Sequence, residues 1–73
     1  MKVRTQYSFY LFGKPDRDGF RKVTRDGKVI ADGGFAPWSV SKVIKLTKGQ
    51  PMSLKNRKGE WLTTSVVVEI EAK

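Results

Sequence analysis

The chain has 73 residues, with 15 Lys plus Arg against 7 Asp plus Glu, a formal net charge of +8, a pI near 10.1, and neither His nor Cys. That composition excludes disulfides, thiolate or imidazole metal sites, and any nucleophile activated by a histidine base. A chain of this length reads as one domain over 1–73 whose core supplies only about 3–5 kcal/mol of net stability, and its charge draws it to nucleic acid, anionic lipid or acidic protein surfaces.

Residues 2–12 alternate. Val3, Thr5, Tyr7, Phe9 and Leu11 share one parity and Lys2, Arg4, Gln6, Ser8, Tyr10 and Phe12 the other, which predicts one long strand with the first set toward the core. Gly13-Lys14-Pro15-Asp16-Arg17-Asp18-Gly19 follows as a loop by local chemistry. Asp26-Gly27 lies between two short apolar-containing runs, the pattern of a hairpin over 20–32 with a turn that needs positive φ.

Pro37 stands where a first helical residue belongs, Val40, Val43, Ile44 and Thr47 follow at helical spacing, and Gly49 stands at the stop. These signals predict a short helix over 38–48. The rival is a strand, because Val40, Ile44 and Leu46 share a parity and the run is β-branched. A short strand from Pro51 through Leu54, a turn over 55–59 and a strongly alternating strand from Trp61 to Glu71 complete the chain. The expected fold is α+β: a small antiparallel sheet of about five strands in the order β-β-β-α-β-β, one helix covering a face.

Charge is unevenly placed. Residues 1–58 carry fourteen Lys plus Arg and four Asp, for +10, whereas residues 59–73 carry Lys73 and three Glu, for −2. Were the last strand to pair beside the first, Glu69 and Glu71 would lie near Lys2 or Arg4 and partly neutralise that face.

Catalytic and metal-binding motifs fail on their counts. Asp16-Arg17-Asp18-Gly19 begins like a calcium loop, but the position that should hold a bidentate Glu is Gly27. The seven carboxylates lie in turns or beside Lys and Arg, as solvated charges do, and Gly33-Gly34 lacks the surroundings of a phosphate loop. No enzyme activity and no cofactor are expected. The longest apolar run, Phe9 to Phe12, falls far short of a spanning helix or a signal segment, so a cytoplasmic protein without membrane contact is expected.

Cations interleaved with aromatics are the remaining signal. Lys14, Arg17, Arg21, Lys22, Arg25 and Lys28 gather after the first strand, and Tyr10, Phe12, Trp38 and Trp61 are candidate surface rings. Nucleic-acid binding uses this combination, with cations along phosphates and rings against bases. An equally supported route is docking of an exposed N-terminal strand edge onto another protein, with pockets for Tyr10 and Phe12.

In its length, its lack of Cys and His, its basic balance and its segment Tyr7-Ser8-Phe9-Tyr10-Leu11-Phe12, the chain resembles the small basic transcription regulators that lytic bacteriophages encode against host RNA polymerase. The resemblance implies a monomer in the cytoplasm of an infected bacterium that binds the polymerase at its β′ subunit. It further implies a block of initiation by competition with the promoter-specificity factor, and antitermination. The expected contacts are Lys2, Arg4, Tyr10 and Phe12, with Arg17, Arg21 and Arg25 as a second patch. The alternative is a small basic DNA- or RNA-binding domain that uses the same patch with Trp38 or Trp61.

Overall fold

The C-terminal alternating run closes the molecule on itself. The computed structural model describes residues 1–26 and 35–72, and its strands are β1 (Lys2–Thr5), β2 (Phe9–Phe12), β3 (Arg21–Arg25), β4 (Val40–Lys45), β5 (Pro51–Asn56) and β6 (Trp61–Glu71). Each strand pairs antiparallel with the next, and β6 returns to β1 to complete a closed barrel. With 11 residues, β6 is long enough to serve two neighbours, pairing Trp61 to Val66 with β5 and Val67 to Glu71 with β1.

Closing a sheet this small requires sharp local bending, which bulges provide. The β6 ladder shifts register against both β5 and β1. At the first shift, the buried Thr64 replaces a lost backbone acceptor: its Oγ1 accepts the Met52 N–H at 3.1 Å and donates to the Ser65 carbonyl at 2.8 Å. The core inside the barrel is Val3, Tyr10, Phe12, Val23, Phe35, Met52, Leu54 and Val67.

The α+β expectation is therefore corrected to a nearly all-β barrel. Among the described residues the only helical piece is a 3-10 turn at Ala36–Trp38, and the expected helix over 38–48 is β4 instead. Pro37 does start a helical turn, but Ser39 ends it, and Ser41 points inward with its Oγ on the Trp38 carbonyl at 2.5 Å. The β-branched Val40, Val43 and Ile44 then fit a pleated strand better than a helix. Gly49, with φ of 89°, serves the β4–β5 connection and not a helix end.

The single strand over 2–12 is two strands with a turn at Gln6, Tyr7 and Ser8. Thr5 makes that turn: its Oγ1 accepts the Ser8 N–H at 3.2 Å and donates to the Ser8 carbonyl at 3.1 Å. The reversal also inverts the expected parity of the second half. Tyr10 and Phe12 point into the core at 4% and 5% exposure, while Tyr7 is 85% exposed and Leu11 faces out. The exposed N-terminal edge expected for protein docking does not exist, because β1 is paired on both sides.

The Asp26-Gly27 hairpin falls partly, and Gly33-Gly34 wholly, outside the described residues. Asp26 itself has the positive φ, 55°, that the turn chemistry called for. Its carboxylate reaches back to β2, accepting the Phe9 N–H at 3.0 Å. The expected β5 and β6 are present, and Asn56, Lys58, Gly59 and Glu60 form the tight turn between them. Among the described residues no helix is long and apolar enough to cross a membrane.

Candidate functional site

Inward and outward positions follow from the buried residues of each strand. Because Val23, Ser41 and the series Met52, Leu54 and Asn56 point inward, Lys22, Val40, Lys42, Ser53 and Lys55 point outward. Cross-strand register places these on one continuous surface: Lys22 opposite Val40, Lys42 opposite Lys55, and Lys55 opposite Trp61. Among the described residues, no carboxylate stands across the ladder from any of the three lysines.

Two rings organise the charges. Phe20, half-buried just before β3, lies under the Arg57 guanidinium at 4.4 Å from its centroid and under Lys42 Nζ at 5.4 Å. Trp61 carries Lys55 Nζ at 5.6 Å and remains 55% exposed. Such cation–ring contacts are worth about 0.5–1 kcal/mol each at exposed sites. They hold the charged ends in place against the repulsion of Lys42 facing Lys55, since like charges directly opposite in a ladder destabilise it.

Arg57 reaches this surface from the β5–β6 turn, and Asn56 fixes that turn from within. The buried Asn56 Oδ1 accepts N–H bonds from Lys58 and Glu60 at 3.0 and 2.9 Å, while its Nδ2 donates to Glu60 Oε1 at 2.9 Å. Gly59 supplies the left-handed residue, with φ of 84°. On the far side Arg57 pairs with Asp16 Oδ2 at 2.6 Å.

Asp16 acts as the organiser of the loop between β2 and β3. Its Oδ1 accepts the N–H groups of Asp18 and Phe20, both at 2.9 Å. The Phe20 N–H bond above all, together with Arg57, holds its carboxyl below the usual carboxylate range. Between this loop and β3 lies a cleft of about 380 Å³ lined by Lys14, Phe20, Arg21, Lys22 and Arg57 among others.

The predicted contacts are not brought together. Tyr10 and Phe12 are core residues and present no surface to a partner. Lys2 and Arg4 face out, but on the opposite side, where Lys2 stands across from Glu71 and Arg4 from Glu69, with an Arg4–Glu69 ion pair at 3.4 Å. The neutralisation expected from pairing of the first and last strands is thus present. Arg17 is exposed in the loop. Arg21 donates to the Gly13 carbonyl at 3.2 Å and lines the cleft, whereas Arg25 lies over the Phe35 ring at 5.0 Å. These two residues mark opposite ends of β3, about 13 Å apart at strand rise, so they do not form one patch.

Of the candidate surface rings, Trp61 is at the surface. Trp38 is half-buried, packs on the core and donates its Nε1–H to the Glu60 carbonyl at 3.2 Å. Phe20, Lys42, Lys55 and Arg57 are the members that sequence reasoning missed. Only the register of β4 on β5 joins Lys42 to Lys55, and that register was hidden by reading β4 as a helix. No protein-family model, no curated protein and no solved structure matches this chain, so the function of the surface is argued from its own chemistry.

Proposed function

We propose that the protein is a non-catalytic nucleic-acid-binding module that works in the cytoplasm and holds the phosphate backbone on the outer surface of β3, β4, β5 and β6. The observation that carries the reading is the Lys42–Lys55 pair. Two cations stand directly opposite each other, flanked by Lys22 and by Arg57 with its Asp16 partner and braced on Phe20 and Trp61, with no carboxylate across the ladder from either lysine among the described residues. An arrangement that works against folding becomes favourable when phosphates lie between the charges, because each neutralised phosphate releases condensed counterions.

Binding of a fluorescently labelled oligonucleotide, followed by anisotropy from low to moderate salt, tests this. If Lys22, Lys42, Lys55 and Arg57 each engage a phosphate, log affinity falls against log salt with a slope of about −3. Absence of salt-dependent binding overturns the reading. Recovery of bacterial RNA polymerase from a nuclease-treated lysate, lost when these four residues are replaced, would instead assign the face to an acidic protein surface. That result would return the protein to the polymerase-regulator expectation.

A further inference from the structure

The two rings of the basic surface are not equivalent. Phe20 is half-buried, with Arg57 and Lys42 both over its ring, so it is occupied in holding cations. Trp61 has Lys55 over its ring and over half of its surface in solvent. It stands on a strand, not on a loop tip, with its backbone paired to Lys55. That fixes where the indole leaves the sheet relative to the row of lysines.

Resting on the nucleic-acid reading, we propose that Trp61 is a stacking platform for an unpaired base, and that the face therefore takes single-stranded nucleic acid in preference to duplex. Shape decides between the two forms. A major groove about 12 Å wide admits a helix or a two-stranded ribbon, while the barrel measures 27 × 26 × 22 Å and presents Trp61 on the outside of a sheet. Against a duplex only the long Lys and Arg side chains reach phosphates, and the indole meets no base face. A single strand lying along Lys42 and Lys55 can turn a base onto Trp61 while its phosphates stay on the cations. Base–aromatic stacking of this kind tolerates any base, so the face is expected to show little sequence preference.

The test compares the full chain with W61L and W61F against a short oligothymidylate and a duplex of equal phosphate number, at one salt concentration. Wild-type protein is expected to bind the single strand at least about tenfold more tightly than the duplex, with quenching of tryptophan fluorescence. W61L is expected to lose roughly tenfold to a hundredfold of single-strand affinity together with the quenching, and to keep its duplex affinity. W61F, which restores a flat ring, is expected to recover most of the single-strand affinity. Circular dichroism confirms that each variant retains its strands. Equal, salt-dependent binding of both nucleic acids, unchanged in W61L, would overturn the stacking role and leave the phosphate-binding face standing. Binding of neither would overturn the nucleic-acid reading itself.

Discussion

On the outer face of β6, β1 and β2, Lys2 stands across from Glu71 and Arg4 from Glu69; on the outer face of β3 to β6, Lys42 stands across from Lys55. Both faces belong to one barrel and share β6, so the difference lies in which residues the register sets opposite one another. In the first, charges of opposite sign face each other, and the exposed Arg4–Glu69 ion pair adds under about 1 kcal/mol. In the second, like charges are kept together and braced on aromatic rings. A net charge of +8 says little about where a partner binds until those pairings are known.

The difference can be broken from either side. Replacing Lys22, Lys42, Lys55 and Arg57 together by Gln is expected to lower oligonucleotide affinity about a hundredfold or more at ~0.1 M salt and to flatten the salt dependence, because the phosphate contacts supply most of the binding energy. Replacing Lys2 and Arg4 by Gln should change affinity less than about threefold under the same conditions. Anisotropy titrations of the two variants measure the contrast directly.

The strand common to both faces depends on Thr64. T64V keeps the volume but removes the acceptor of the buried Met52 N–H, with an expected cost of about 1–3 kcal/mol. In a domain of this size that is a large share of the total stability, and it should appear as a lowered urea midpoint with little change in m-value.

A smaller effect is expected from E69Q/E71Q. Removing the two carboxylates exposes Lys2 and Arg4 and should raise nucleic-acid affinity about twofold to threefold at low salt, with no gain at high salt. If the gain persisted at high salt, a contact other than long-range charge would be responsible.

The smallest expected effect is a pH dependence of the loop between β2 and β3. The folded-state pKa of Asp16 lies below its ordinary value of 3.8, so its contribution is complete above that value and is lost as pH falls through the lowered one. Resonances of the Asp18 and Phe20 amides, which the carboxylate accepts, should move in that acid window. In D16N the window should disappear.

Legibility in the sequence followed the kind of signal each element carries. The bounds of β6 were readable because alternation over 11 residues has a single explanation, but its faces were not, because the bulges beyond Thr64 reverse parity without a marker residue. The turn after Thr5 was invisible for a related reason. Gln6, Tyr7 and Ser8 include no Gly, Pro, Asn or Asp, and the turn is made by Thr5 and Ser8 bonding to each other. Pro37 and Gly49 were correctly seen as punctuation, yet they mark a 3-10 turn and a strand connection.

The same limits apply to the candidate site. Trp61 was among the candidate surface rings, and the nearness of Glu69 and Glu71 to Lys2 and Arg4 was expected on condition that the first and last strands pair, as they do. Tyr10 and Phe12 were misassigned through the hidden turn, and Lys42 and Lys55 were missed through the helix reading of 38–48. Register follows from the alternating pattern and the turns together, and a turn or bulge without a marker residue moves every side chain beyond it to the other face.

The most direct test of the basic face is a two-dimensional NMR titration of the full chain with a short oligonucleotide. The expected result is that Lys22, Lys42, Lys55, Arg57 and the Trp61 indole shift progressively while Lys2, Arg4, Glu69 and Glu71 stay in place. Shifts concentrated on β1 and the end of β6, or none on the β3 to β6 face at saturating oligonucleotide, would contradict it.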